Sequence, residues 1–348
     1  MRIVELLRYT VDRGASDLHL KAGNHPHVRI NGELEPADMF GVLSDHDTEE
    51  IAHEILPPRK AGIFKERSEA DFSFEVPDIA RFRVNVFRQR GKVGLALRLI
   101  RSDIPTFEDL NLPPIVQTMA ESPRGLVLVT GPAGVGKTTT IAAMIGHINR
   151  SRRAHIVTME DPIEIVHEDV MSIVDQREVG EDTLSYADGL RHVLRQDPDV
   201  IFLGEIRDSD SMMAAMQAAE TGHVVISTLH TIDATETVNR VIDLFPPQHQ
   251  REARVSFAGS LRGIISQRLV QRADANGRVP AVEVLVNTGR VYERITDPDA
   301  TFQLSDVIGD GQYYGMQTFD QSLVTLVKDS FITEEQARKV STNPHDLS

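Results

Sequence analysis

Three glycines, a lysine and a threonine in one short run constrain the fold of this chain more than any other feature. Gly131, Pro132, Ala133, Gly134, Val135, Gly136, Lys137 and Thr138 spell G-x-x-x-x-G-K-[ST] in full. Ahead of them, residues 125–130 form an unbroken apolar run, the pattern of a strand buried on both faces. Behind them, Ile141, Ala142, Met144, Ile145 and Ile148 recur at helical spacing. Glycines let successive backbone N–H groups close around a phosphate, and the helix N-terminus adds positive potential. In such a cradle Lys137 meets the β- and γ-phosphates, the Thr138 hydroxyl joins a Mg²⁺ shell, and Thr139 completes the binding loop. Strand, loop and helix together mark a nucleotide-binding protein.

At 348 residues the chain exceeds one ordinary core, so two domains are expected. No apolar run approaches the ~20 residues of a membrane span. The N-terminus reads as an amphipathic helix with charges inside it, which is not a signal peptide. There is no cysteine, which excludes disulfides and thiolate zinc sites and fits a cytoplasmic location. Lys+Arg 37 against Asp+Glu 52 leaves a net charge of −15, so no direct nucleic-acid partner is expected.

Residues 1–100 read as a small α+β domain. A helix over 3–11 ends near Gly14, and 17–20 alternate as a strand. Asn31-Gly32 between alternating arms signals a hairpin. A helix over 45–56 is expected to stop at Pro57-Pro58, and strand-like runs follow at 71–76, 80–87 and 94–100. Residues 101–114, with Pro105, Pro113 and Pro114, read as a linker. From 115 to 348 the pattern is α/β. Strands at 126–130, 155–159, 200–204 and 224–229 alternate with helical stretches, a doubly wound parallel sheet with its ligand at the strands' carboxyl ends. A hairpin over 267–272 and 281–286, turning at Asn276-Gly277, extends it, and Thr333-Glu-Glu-Gln336 is a capping box opening a last helix before a frayed tail from Asn343.

Phosphoryl transfer needs one carboxylate for Mg²⁺ and one that positions the attacking water. Strand 200–204 runs into Glu205, and strand 155–159 runs into Glu160 and Asp161. Both ends deliver acids to the edge that carries the phosphate loop, and spacing alone does not separate their roles. His230 emerges at the carboxyl end of strand 224–229, near the phosphates, and His223 lies at its opposite end. The transition state also needs positive charge. Arg191, Arg195 and Arg207 lie in the second domain, while Arg81, Arg83 and Arg98 stand on strands of the first, with Arg98 breaking an apolar run.

The motifs together resemble the PilT-like type IV pilus retraction ATPases of the secretion ATPase superfamily. The resemblance runs from Gly14-Ala-Ser-Asp-Leu-His-Leu20 through the phosphate loop and Glu160-Asp-Pro-Ile-Glu164. It continues through Gly204-Glu-Ile-Arg-Asp208, Ala219-Glu-Thr-Gly-His223, Ser227-Thr-Leu-His-Thr231 and Tyr314-Gly-Met-Gln-Thr-Phe-Asp320. It implies a PAS-like first domain, a RecA-like ATPase domain and a homohexamer. It also implies Glu160 as catalytic base, Glu205 as the Walker B glutamate near Mg²⁺, and His223 and His230 as a His box. Arg83 and Arg98 are similar in place to arginines that reach the γ-phosphate, with Arg81 a weaker candidate. The expected function is a cytoplasmic, Mg-dependent ATPase, peripheral to the inner membrane, that drives pilus retraction through a membrane platform protein. An assembly or secretion ATPase, or a low-turnover nucleotide-dependent scaffold, is the alternative. A start at the PAS-like domain and the missing cysteines favour the retraction branch. Residues 289–298 depart from the family's A-I-R-N-L-I-R-E-like stretch and point away from it.

Overall fold

The computed structural model describes residues 2–30, 32–100, 104–274 and 277–343. Asn31 and Asn276, the expected turn residues of two hairpins, lie outside them, as do 101–103 of the expected linker and the tail beyond 343. Two compact units emerge, Met1–Asp103 with Glu164–Val166, and Ile104–Ile163 with His167–Ser348.

The first unit opens with α1 (Arg2–Asp12), whose Ile3, Leu6 and Leu7 form one buried stripe. It continues through β1 (Asp17–Lys21), β2 (His27–Ile30), β3 (Glu33–Pro36) and α2 (Asp45–Ile55). Then come α3 (Pro58–Arg67), β4 (Glu69–Val76), β5 (Ala80–Gln89) and β6 (Lys92–Ile100). The six strands form one antiparallel sheet in the order β3-β2-β1-β6-β5-β4. Strand alternation sorts its two faces. On β5, Phe82, Val84 and Val86 are buried in the core with Leu95 and Leu97 of β6, while Arg81 and Arg83 take the other face with Arg98. As the sequence places it, α2 stops ahead of Pro57-Pro58, with Leu56 as its C-cap, but a further helix, α3, starts there. Pro58 lacks only an N–H that no first-turn residue uses, so it can open α3 directly after α2 has ended.

The second unit is a seven-stranded sheet. It comprises α4 (Pro114–Ala120), β7 (Gly125–Thr130), α5 (Lys137–Ser151), β8 (His155–Glu160), β9 (Ile173–Glu178), α6 (Tyr186–Val193), β10 (Val200–Leu203) and α7 (Ser209–Glu220). There follow β11 (Val224–Leu229), α8 (Ala234–Asp243), α9 (Gln250–Ser260), β12 (Leu261–Gln271), β13 (Arg278–Val286), α10 (Gly289–Thr296), α11 (Leu304–Gly309), α12 (Phe319–Lys328) and α13 (Glu334–Val340). The order is β13-β12-β7-β11-β10-β8-β9, parallel throughout except for the β12–β13 hairpin. The four expected parallel strands are present, and every residue of β7 and β11 is buried, as apolar runs between two helical layers require. The edge strand β9 was not legible, because Asp175, Gln176 and Arg177 break any apolar pattern. Phe107 and Leu112, within the stretch read as linker, are buried in this unit's core. Phe319, Leu323, Leu326 and Ala337 pack α12 and α13 against Val270, Val279 and Ala281 of the hairpin. Among the described residues no helix is long and apolar enough to cross a membrane.

Candidate nucleotide site

The loop after β7 turns by left-handed backbone at Gly131, Gly134 and Gly136, with φ of 140°, 79° and 91°. At Gly131 the need is also steric. A Cβ there would sit 2.7 Å from the Gln267 carbonyl oxygen and 2.7 Å from Val135 Cγ2. Gly136 is the N-cap of α5 and brings no side chain to the helix N–H groups, so these face the loop without a side-chain acceptor. Lys137 is buried, and its Nζ donates to the carbonyls of Gly131 and Pro132 at 2.6 and 2.9 Å. Its amine is therefore already held inside the loop rather than in solvent. Behind the loop, Gln267 on β12 donates through Nε2 to Thr140 Oγ1 at 2.8 Å, and Thr130 Oγ1 bonds Ser266 Oγ at 2.9 Å. The loop is thus braced on its far side by the neighbouring strand.

Parallel register brings the carboxyl ends of β7, β8, β10 and β11 to one edge. Glu160, last in β8, is buried, and its Oε1 accepts from Thr158 Oγ1 at 2.7 Å and Gln176 Nε2 at 3.2 Å. Two donors on one oxygen fix that carboxylate's rotamer. Glu205 follows β10 and is more open, with its side chain 20% exposed. Its Oε2 accepts from Arg207 at 2.7–2.8 Å.

His230, just past β11, joins these groups. Its Nδ1 lies 3.4 Å from Lys137 Nζ, and its Nε2 lies 3.5 Å from Glu205 Oε1. A proton on Nε2 leaves Nδ1 to accept from the lysine and Nε2 to face the carboxylate, so one tautomer serves both contacts. His223 is placed differently. It sits before β11, its Nδ1 donates to the Ala218 carbonyl at 2.9 Å, and its own carbonyl accepts from Gly125 N at 3.0 Å. Six strand residues separate it from His230, about 20 Å at strand rise, so the two histidines mark opposite edges of the sheet.

Arg83 and Arg98 belong to the first unit and are exposed on its polar sheet face. Arg98 Nε donates to Asp17 Oδ1 at 2.8 Å. Asp17 lies below the usual carboxylate range: burial works the other way, but hydrogen bonds from Ser16 and then Arg98, with the charge of Arg98, outweigh it. Arg81 lies 3.9 Å from Glu75 Oε2.

Sequence reasoning missed Thr158 and Gln176. Gln176 comes from the unrecognised β9, and Thr158 is an ordinary strand residue until its hydroxyl is seen against Glu160. No local signal marks either.

These residues fit ATP with Mg²⁺. The glycine loop and the uncapped start of α5 suit phosphate, the Thr138 hydroxyl and Glu205 supply hard oxygens, and bound Mg²⁺ would neutralise charge between the outer phosphates.

Residues 67–339 match the model of the type II/IV secretion system protein family. The chain is 42% identical over 347 residues to the type IV pilus retraction ATPase PilT of Pseudomonas aeruginosa, covering all of both chains. It is 39% identical to the type IV pilus ATPase PilU of the same organism, over 100% of this chain and 90% of that one. Among solved structures, the pilus retraction motor PilT with bound ADP aligns over 100% of this chain and 99% of that one, at TM-score 0.92 and 43% identity. The Legionella pneumophila ATPase DotB aligns over 97% and 94% at TM-score 0.84 and 25% identity. With the phosphate loop, two strand-end glutamates and His230 gathered on one sheet edge, the chain belongs to the type II/IV secretion system protein family, among its PilT-like members.

Proposed function

We propose that this protein is a Mg-dependent ATPase that works as a homohexameric motor and powers type IV pilus retraction. The observation that carries the chemistry is the contact chain Glu205–His230–Lys137, which ties the Glu205 strand end to the phosphate loop within 3.5 Å at each link. Full-length likeness to PilT supports the motor and its direction.

On this reading the loop N–H groups and Lys137 grip the β- and γ-phosphates, and Thr138 and Glu205 hold the Mg²⁺. Glu160, its rotamer fixed by Thr158 and Gln176, takes the proton of the attacking water. His230 senses the γ-phosphate, because any movement of Lys137 from the loop carbonyls toward phosphate alters its contact with Nδ1. Arg83 and Arg98 are supplied by the PAS-like domain of one subunit to the ATP of its neighbour, so the site is complete only in the ring. Domain closure at hydrolysis then becomes rigid-body motion, transmitted at the cytoplasmic face of the inner membrane to a pilus platform protein. His223, at the far edge of the sheet, takes no part in its own subunit's phosphate grip.

Phosphate release against Mg²⁺ and protein concentration, with mass by light scattering, tests this. Turnover should rise as the protein assembles and vanish in Lys137→Ala. Equal rates in that variant, or full activity in a monomer, would overturn the reading. Deleting the gene tests direction: hyperpiliated, non-twitching cells support retraction, and bald cells support assembly instead.

A further inference from the structure

Tyr186 belongs to none of the sequence motifs, yet it stands inside the acidic edge of the site. Helix α6 begins at this residue, capped by Ser185, whose hydroxyl accepts from Asp188 N at 3.1 Å. Gly189 brings the helix down hard on β8, since a Cβ there would lie 2.5 Å from Met159 Sδ. One turn earlier, the phenol is thereby carried over the carboxyl ends of β8 and β10. Its oxygen fills the space that a side chain at Gly204 would need. A Cβ on Gly204 would come within 2.9 Å of Tyr186 Oη and 3.5 Å of Glu160 Cα, and Glu205 is the next residue. Two glycines therefore make room for one hydroxyl at these strand ends, beside Gly204.

A ring placed only to fill space needs no hydroxyl, and phenylalanine would pack equally well. The charges that act on this hydroxyl are instead mostly negative. Burial pushes the phenol above its ordinary value, and Asp161, Glu205 and Glu160 push the same way, with Arg207 opposing. It keeps its proton across the neutral range and offers the carboxylates a neutral donor that adds no charge to the cluster.

We propose that Tyr186 is a further catalytic residue, its hydroxyl donating to the attacking water and holding it between Glu160 and Glu205. The proposal rests on the ATPase reading above. In the step, the water oxygen bonds to the γ-phosphorus. The bond from that phosphorus to the β–γ bridging oxygen breaks, and ADP keeps the electron pair. The water's proton passes to the glutamate and then to the released phosphate, and the phenol retains its own proton throughout.

The test compares Tyr186→Phe with wild type as full-length, assembled protein, by phosphate release against ATP concentration and by thermal melting. A kcat lower by about tenfold, with KM and melting temperature unchanged, supports the role, that being the scale of one lost hydrogen bond. Equal kcat overturns it, and so does a kcat loss that tracks a fall in melting temperature. A second variant carries 3,5-difluorotyrosine at position 186, which keeps the ring and hydroxyl but lowers the phenol's pKa. Its pH–rate profile should fall on the alkaline side at lower pH than wild type, and a superimposable profile overturns the proposal. Wild type that releases no phosphate would sink the ATPase reading and this inference together, whereas an active wild type matched by Tyr186→Phe would sink only the inference.

Discussion

Arg83 and Arg98 stand directly opposite each other on the antiparallel neighbours β5 and β6, two guanidinium groups on one polar face. Like charges in that relation destabilise a sheet. Only one of them is answered: Asp17, opposite Arg98 on β1, takes its Nε at 2.8 Å, while among the described residues Arg83 makes no ion pair. A sheet that tolerates surplus positive charge at one spot is suited to meet an anion there. Replacing Arg83 with alanine should leave the melting temperature unchanged or slightly higher, yet lower ATP turnover by about 10³-fold, the lower end for a lost arginine finger. Arg98→Ala should match it in turnover and cost under about 1 kcal/mol in stability, since Arg98 is 71% exposed. Mixing Arg83→Ala with Lys137→Ala subunits should restore part of the activity, because some sites then pair an intact loop with an intact arginine. Absence of recovery despite subunit exchange would mean the arginines do not act between subunits.

The two glutamates should separate by their dependence on metal. Glu160 is buried and held by Thr158 and Gln176, whereas Glu205 is open to Arg207 and His230. Both Glu160→Gln and Glu205→Gln should lose at least about 100-fold in kcat, the scale of a positioned proton acceptor or charge partner. Raising Mg²⁺ should recover part of the loss in Glu205→Gln alone. Recovery in Glu160→Gln instead would exchange the two roles.

What the sequence makes visible here is whatever is encoded locally. The phosphate loop needs glycines at fixed offsets, and its flanking strand must be apolar because both faces are covered, so residues 125–138 declare themselves. Glu160 and Glu205 are visible because each ends such a strand. Gln176 is not, because β9 is an edge strand with one open side and no apolar run. Tyr186 becomes meaningful only through Gly189 and Gly204, which lie three residues and a whole strand away. Residues 104–114 hide behind their prolines, although Phe107 and Leu112 are core. Helix α3 hides for a similar reason: the prolines that end α2 read as a stop, while Pro58 also opens the next helix at its first turn.

Gly131→Ala offers a test of the loop that removes no functional group. The added methyl would meet a carbonyl oxygen and Val135 Cγ2, each at 2.7 Å, on backbone with φ of 140°. Neither the β12 carbonyl, fixed in its ladder, nor the left-handed turn can yield cheaply, so the loop must shift. Nucleotide affinity, followed with a fluorescent ADP analogue, should fall by about 10-fold or more, a penalty of 1–3 kcal/mol for forced backbone strain. The melting temperature without nucleotide should change less than that of a core truncation. Unaltered affinity would show that the loop's shape around Gly131 does not govern phosphate binding.

Stability should carry a separate pH signature from Glu283. This β13 carboxyl is nearly enclosed, and burial pushes it up to about 7 from an ordinary 4.5, with Asp233 and Asp320 adding to the rise. The N–H of Ala234, which donates to Oε1 at 2.8 Å, and the charge of Arg268 oppose it. Because the folded state holds this proton more tightly than the unfolded chain, the group's contribution is fully present below about pH 4.5. It fades as pH rises and is gone above about pH 7. Glu283→Gln keeps an acceptor for Ala234 N and removes the ionisation. Relative to wild type, it should be more stable at pH 8 by up to about 3 kcal/mol, with the difference shrinking toward zero near pH 4.5. Denaturant titrations of both proteins at pH 5, 6, 7 and 8 read this directly, because carboxylates common to the two cancel in the comparison. A gap that stays constant with pH would mean that Glu283 does not bind its proton differently in the folded and unfolded chains.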